Sequence, residues 1–75
     1  MGSEPRSVAY WRARLGRKVS LRFKLHGDPA HPFSEAIGMV ASTEGEGSEA
    51  RVSVVNRRGE TATFAVSDVI AAKDL

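Results

Sequence analysis

The stretch RVSVVNRRGETATFAV, Arg51 to Val66, decides the fold. Val52 and Val54 alternate with Arg51, Ser53 and Val55; then Ala62, Phe64 and Val66 alternate with Thr61 and Thr63. A period of two in β-branched and aromatic residues marks a half-buried strand. Asn56-Arg57-Arg58-Gly59 joins the two arms. Asn opens a type I turn, and Gly59 takes the left-handed conformation that closes a short hairpin with a bulge. Such a hairpin is not stable alone in water, so further strands must cover its apolar face.

Those strands are legible outward from the hairpin. In Lys18 to Leu25, Val19, Leu21, Phe23 and Leu25 share one face and Lys18, Ser20, Arg22 and Lys24 the other. HGDPAHP (26–32) is a loop, since proline biases its predecessor away from helix. Phe33 to Ala41 reads as a strand with Ile37, Met39 and Ala41 inward; Gly38 within it signals a bend, a bulge or a close backbone approach. STEGEGSE (42–49) reads as a mobile polar loop. Ser67-Asp68-Val69 suits one tight helical turn, and Ile70 to Lys73 a last strand.

The sequence thus predicts strands over 18–25, 34–41, 50–56, 60–66 and 70–73. The fold class is all-β. The order of loops, long, medium, tight and one helical turn, is that of a five-stranded SH3-like barrel. Its expected core is Val19, Leu21, Phe23, Ile37, Met39, Val52, Val54, Phe64, Val66 and Ile70. Ahead of it, residues 4–15 predict a short helix or arm, with Val8, Trp11 and Leu15 on one face, Ser7 as N-cap and Gly16 just past the end. The expected division is an arm over 1–15 and the barrel over 16–75. Trp11 plugs one end of the core or serves as an aromatic platform.

Seventy-five residues make a single small domain. There is no cysteine, which excludes disulfides and thiolate metal sites. His26, Asp28 and His31 share a loop, but structural zinc normally takes four ligands, so no metal is expected. No apolar run approaches a membrane span and no signal peptide is legible, so a cytoplasmic location is expected. Net charge is +2 but unevenly placed. Residues 1–25 carry seven basic groups and one acid, whereas residues 26–50 carry five acids and neither Lys nor Arg. Such asymmetry either marks a contact surface or is neutralised across the fold.

A family resemblance emerges from the order of short motifs. Gly16-Arg17-Lys18-Val19 leads into Leu21-Arg22-Phe23 and then Glu35-Ala36-Ile37-Gly38. Val52-Ser53-Val54, Arg58-Gly59-Glu60 and Asp68-Val69-Ile70-Ala71-Ala72-Lys73 follow. Over residues 16–73 this resembles the N-terminal SH3-like module of actinobacterial GNAT-type N-acetyltransferases. The resemblance implies an accessory domain, excised from a longer enzyme or standing alone. The acetyl-CoA loop of that fold, R/Q-x-x-G-x-G/A, does not occur in this sequence. No cofactor is therefore expected, and acetyl transfer is not carried over.

The resulting expectation is a noncatalytic interaction domain. Its partner is a protein, either the tethered acetyltransferase domain, its substrate or a second copy. The candidate interaction surface is Trp11, Arg12, Arg14, Arg17, Lys18, Arg22 and Lys24, and a second possible peptide surface lies between loops 26–34 and 42–49. Proline-peptide recognition would need an aromatic-lined groove, for which Tyr10, Trp11, Phe23, Phe33 and Phe64 are the only aromatics. The rival expectation is nucleic-acid binding, with the same basic residues flanking Tyr10 and Trp11. Neither an RNP sequence nor a GXXG loop supports it.

Overall fold

The computed structural model describes residues 5–75. Met1 to Glu4, including the first residue of the expected helical stretch, lie outside the described residues. One short helix, α1 (Val8–Arg12), precedes five strands: β1 (Lys18–Lys24), β2 (Phe33–Glu44), β3 (Arg51–Val55), β4 (Thr61–Ala65) and β5 (Val69–Asp74). They form one sheet in the order β4-β3-β2-β1-β5, every neighbouring pair antiparallel. The all-β small-barrel expectation holds.

The β3–β4 hairpin forms as its sequence dictates, from Arg51 opposite Ala65 to Val55 opposite Thr61. At the turn, Gly59 N donates to Asn56 O at 2.9 Å, and Gly59 has φ +82°. Asn56 Oδ1 accepts from the backbone N–H of Arg58 (2.9 Å) and Glu60 (3.0 Å). One side chain thereby occupies two donors that the turn leaves without strand partners.

β2 departs most from expectation. Ile37 and Met39 are 56% and 47% exposed, while Gly38 and Val40 are buried. Neither Ile37 nor Met39 belongs to the core; the inward row is Ala36, Gly38 and Val40. The cause is crowding. A Cβ on Gly38 would lie 2.5 Å from Val55 O and 2.6 Å from Val54 Cγ1. The inward positions where β2 curves against β3 therefore take small side chains, and steric room outranks hydrophobicity in choosing the face. A one-residue error of parity turns every side chain over.

Gly38 supplies the expected close backbone approach, and the bulge falls at Ala41, between Val40 opposite Val54 and Ser42 opposite Ser53. The bulge lets β2 pair with β1 through its first half and β3 through its second. Beyond it the strand continues to Glu44, three residues past its expected end, and leaves Ala41 exposed. Backbone pairing of Ser42, Thr43 and Glu44 with β3 needs no apolar side chains on the solvent side. The remaining link is tight rather than open: Gly45 has φ +72°, and a single 3-10 turn spans Gly47–Glu49.

β5 carries a similar correction. Val69 pairs with Phe23 and Ala71 with Arg22, so Ile70 is the bulged residue and is half-buried, while Val69 is fully buried. Leu25 lies beyond the end of β1 and is 39% exposed. Phe23 and Phe64 are half-buried and pack on each other, ring centroids 4.4 Å apart.

α1 has only five residues, well short of self-sufficiency. Ser7 caps it as expected, its Oγ accepting from Ala9 N at 3.2 Å. The helix stops at Arg12, and the turns that follow carry Leu15 out to 49% exposure. Tyr10 and Trp11 instead hold it down. Trp11 is completely buried in one cluster with Val19, Leu21, Val40, Val52, Val54, Val66 and Val69. Its indole N–H donates to Pro5 O at 2.7 Å, which removes the cost of burying that donor. Gly16 N donates to Val40 O and Val40 N to Arg17 O (2.8 and 2.9 Å), leading the chain from the helix alongside β2 into β1.

Candidate interaction surface

The seven residues singled out from sequence do not form one surface. Trp11 has no exposed area and belongs to the core, not to a platform. Burial of a large indole in a small domain outweighs any contact it would make outside. Tyr10 is 7% exposed and lies edge-on to Trp11.

Arg14 is a clamp. Its guanidinium carbon lies 3.6 Å from the centre of the Tyr10 ring. Nη1 donates to Tyr10 O and Nε to Asp74 Oδ1, both at 3.1 Å. One side chain thus ties α1 to the last strand, combining a charge-assisted hydrogen bond with a cation–π contact.

Arg12 and Arg22 are paired with acids from the second third of the chain. Arg12 Nη2 lies 3.7 Å from Glu46 Oε1. On the β1–β2 pair, Arg22 donates through Nε and Nη2 to Glu35 Oε2 at 3.2 and 2.9 Å. Some of the charge asymmetry is therefore neutralised within the fold. Arg17, Lys18 and Lys24 are exposed, and no salt bridge engages them among the described residues.

The loop after β1 spends its chemistry on itself and its neighbour. His31 Nδ1 lies 3.2 Å from Asp28 Oδ2, while Asp28 Oδ1 accepts from Ala30 N. His26 Nε2 lies 3.0 Å from Asp68 Oδ2. Each histidine thus meets a different carboxylate. Among the described residues no three His, Cys, Asp or Glu side chains gather as metal ligands, and no polar side chain is buried. The shallow cleft at this loop is lined by Leu25, His26, Gly27, Asp28, Pro29 and Pro32, with no residue from 42–49. The two loops expected to share a peptide surface join opposite ends of β2.

The sequence reading missed the outer face of β2. Ile37 and Met39 point to solvent there, and half-buried Val55 stands opposite Met39 on β3. On the other side Lys18 stands opposite Met39, and Ser20 opposite Ile37. A cleft of about 310 Å³ is lined by Gly16, Gly38, Met39 and Val55, with Lys18 and Arg57 also contributing. Ile37 lines an adjoining cleft, and Asn56 borders both. The signal was present in the sequence: Ala36, Gly38 and Val40 form a row of small residues that suits the crowded side of a curved strand.

Among the described residues no helix is long and apolar enough to cross a membrane. No curated protein and no solved structure matched this chain. The model of the Rv0428c N-terminal Sm-like domain matches residues 13–73, from the turns after α1 into β5. An Sm-like domain is a small β-barrel and is not a catalytic family, in keeping with the five-stranded sheet described above. The chain belongs to the Rv0428c N-terminal Sm-like domain family.

Proposed function

We propose that this domain is a noncatalytic accessory module that works by binding protein. The observation that carries this reading is the outward placement of Ile37 and Met39 at 56% and 47% exposure. Trp11 and the buried valines close the core without them. Large apolar side chains that folding does not use, grouped on one sheet face with a charged border, are the composition of a contact surface. The family description supports an accessory role, because it names an N-terminal domain of a longer protein, Rv0428c.

The partner proposed first is an acetyltransferase domain of the GNAT type or its substrate, on the strength of the motif order from Gly16 to Lys73. The natural gene tests this directly. An acetyl-CoA loop of the form R/Q-x-x-G-x-G/A downstream, in the same frame or in an adjoining gene, supports the proposal. Calorimetry should then show the separately expressed catalytic domain binding this module, and Met39→Asp should weaken that binding. A downstream region without such a loop, or a catalytic domain that gives no binding heat, contradicts the acetyltransferase assignment.

Nucleic-acid binding is the second reading, favoured by the outward row Lys18, Arg22 and Lys24 on β1. Burial of Tyr10 and Trp11 withdraws the aromatic stacking it relied on, and Arg22 is engaged by Glu35. Titration with short DNA and RNA at two salt concentrations separates the readings, since phosphate contacts weaken steeply with salt.

A further inference from the structure

We propose that the outer face of β2 receives a protein segment in which a bulky apolar side chain is flanked by carboxylates, the apolar group seated on Met39 and Val55 and the carboxylates on Lys18 and Arg57. The proposal rests on the protein-binding reading above but not on the acetyltransferase assignment.

Charge selects the occupant. Lys18 and Arg57 both line the Met39 cleft, and among the described residues no salt bridge engages either. Lys73 extends the same border, standing opposite Ser20, which itself stands opposite Ile37. Of the nearby acids, Glu35 is paired with Arg22, and Glu60, which accepts from Asn56 Nδ2 at 2.9 Å, lines the Ile37 cleft and not the Met39 cleft. The Met39 cleft therefore offers apolar area and cationic donors and no carboxylate. Carboxylates beside an apolar anchor complement it. Met39, unbranched and polarizable, adapts to more than one anchor shape.

The same features disfavour other occupants. A second copy docked face to face would bring two sets of Lys18 and Arg57 into one interface, at a like-charge cost. Single-stranded nucleic acid needs flat rings for stacking, whereas the apolar members at the cleft are Met39 and Val55 with Ile37 beside them, and the exposed Phe33 of the same row stands at the far end of β2, opposite Lys24. At Met39 strand addition is closed, because that residue is paired on both sides, with Lys18 of β1 and Val55 of β3. Recognition at the Met39 cleft must therefore come from side chains.

Selection of displayed random peptides on the purified domain tests this. Enriched peptides should place Leu, Ile, Met or Phe within a few residues of Asp or Glu. A fluorescein-labelled synthetic peptide of the enriched pattern should lose affinity about tenfold on Met39→Asp and by a similar factor on Lys18→Glu with Arg57→Glu. Lys24→Glu, at the far end of the same row and opposite Phe33 rather than Met39, should leave it unchanged. Thermal unfolding of each variant confirms that it is folded, and Met39→Ser serves as the alternative if Met39→Asp is not. Enriched peptides without carboxylates, or binding indifferent to Met39 and the two cations, overturn this site and leave the protein-binding reading standing. Self-association abolished by Met39→Asp, or displacement of the peptide by a short single-stranded DNA, also overturns it. No enrichment of any peptide removes both this site and the protein-binding reading.

Discussion

The two faces of β2 obey different rules. Ala36, Gly38 and Val40 look inward, where the strand passes so close to β3 that a methyl group at Gly38 would collide with backbone. Ile37 and Met39 look outward, although they are the more hydrophobic residues. In a strongly curved small sheet, shape decides which residues are inside. Hydrophobicity left on the outside is then free to act in binding.

Substitutions on the two faces should therefore differ sharply in stability and in binding. The largest effect is expected for Gly38→Val, which has no room for its side chain; denaturant unfolding should show the cooperative transition lost. Trp11→Ala should come next, at about 3–5 kcal/mol, a large share of what a domain this size has to spend. Its urea midpoint, with the slope checked for two-state behaviour, provides the comparison. Val40→Ala should cost about 2 kcal/mol. Ile37→Ser and Met39→Ser should stay within about 0.5 kcal/mol of the parent and yet weaken partner binding. If either outward substitution proves as costly as Val40→Ala, the two faces have been assigned the wrong way round. Arg22→Ala should be the smallest change, within about 0.5 kcal/mol, because both members of its ion pair are more than half exposed. A measurable loss there would mean that the outer face has a structural role as well.

Much of this contrast was already written in the chain. The hairpin from Arg51 to Val66 was legible because its alternation, its Asn and its Gly all agree, and consistency across levels is what makes a local reading reliable. β1 was legible for the same reason. β2 was misread because its apolar residues and its small residues alternate out of phase, and only the approach of Val54 and Val55 shows which set must point in. Ile70 was misplaced by a bulge that no residue type announces. Leu15 was assigned to a helical face that ends three residues before it. The candidate surface suffered most from Trp11, whose burial depends on the sheet beneath it rather than on its neighbours in sequence.

Thiol accessibility tests the central claim most directly, since the chain has no cysteine of its own. Thiols introduced singly by Ile37→Cys, Met39→Cys and Val40→Cys are reacted with a chromogenic disulfide reagent under native conditions. Those at 37 and 39 should label at close to the rate of a free thiol, and the one at 40 only as the protein unfolds. Rapid labelling at 40 with protection at 37 and 39 would contradict the account.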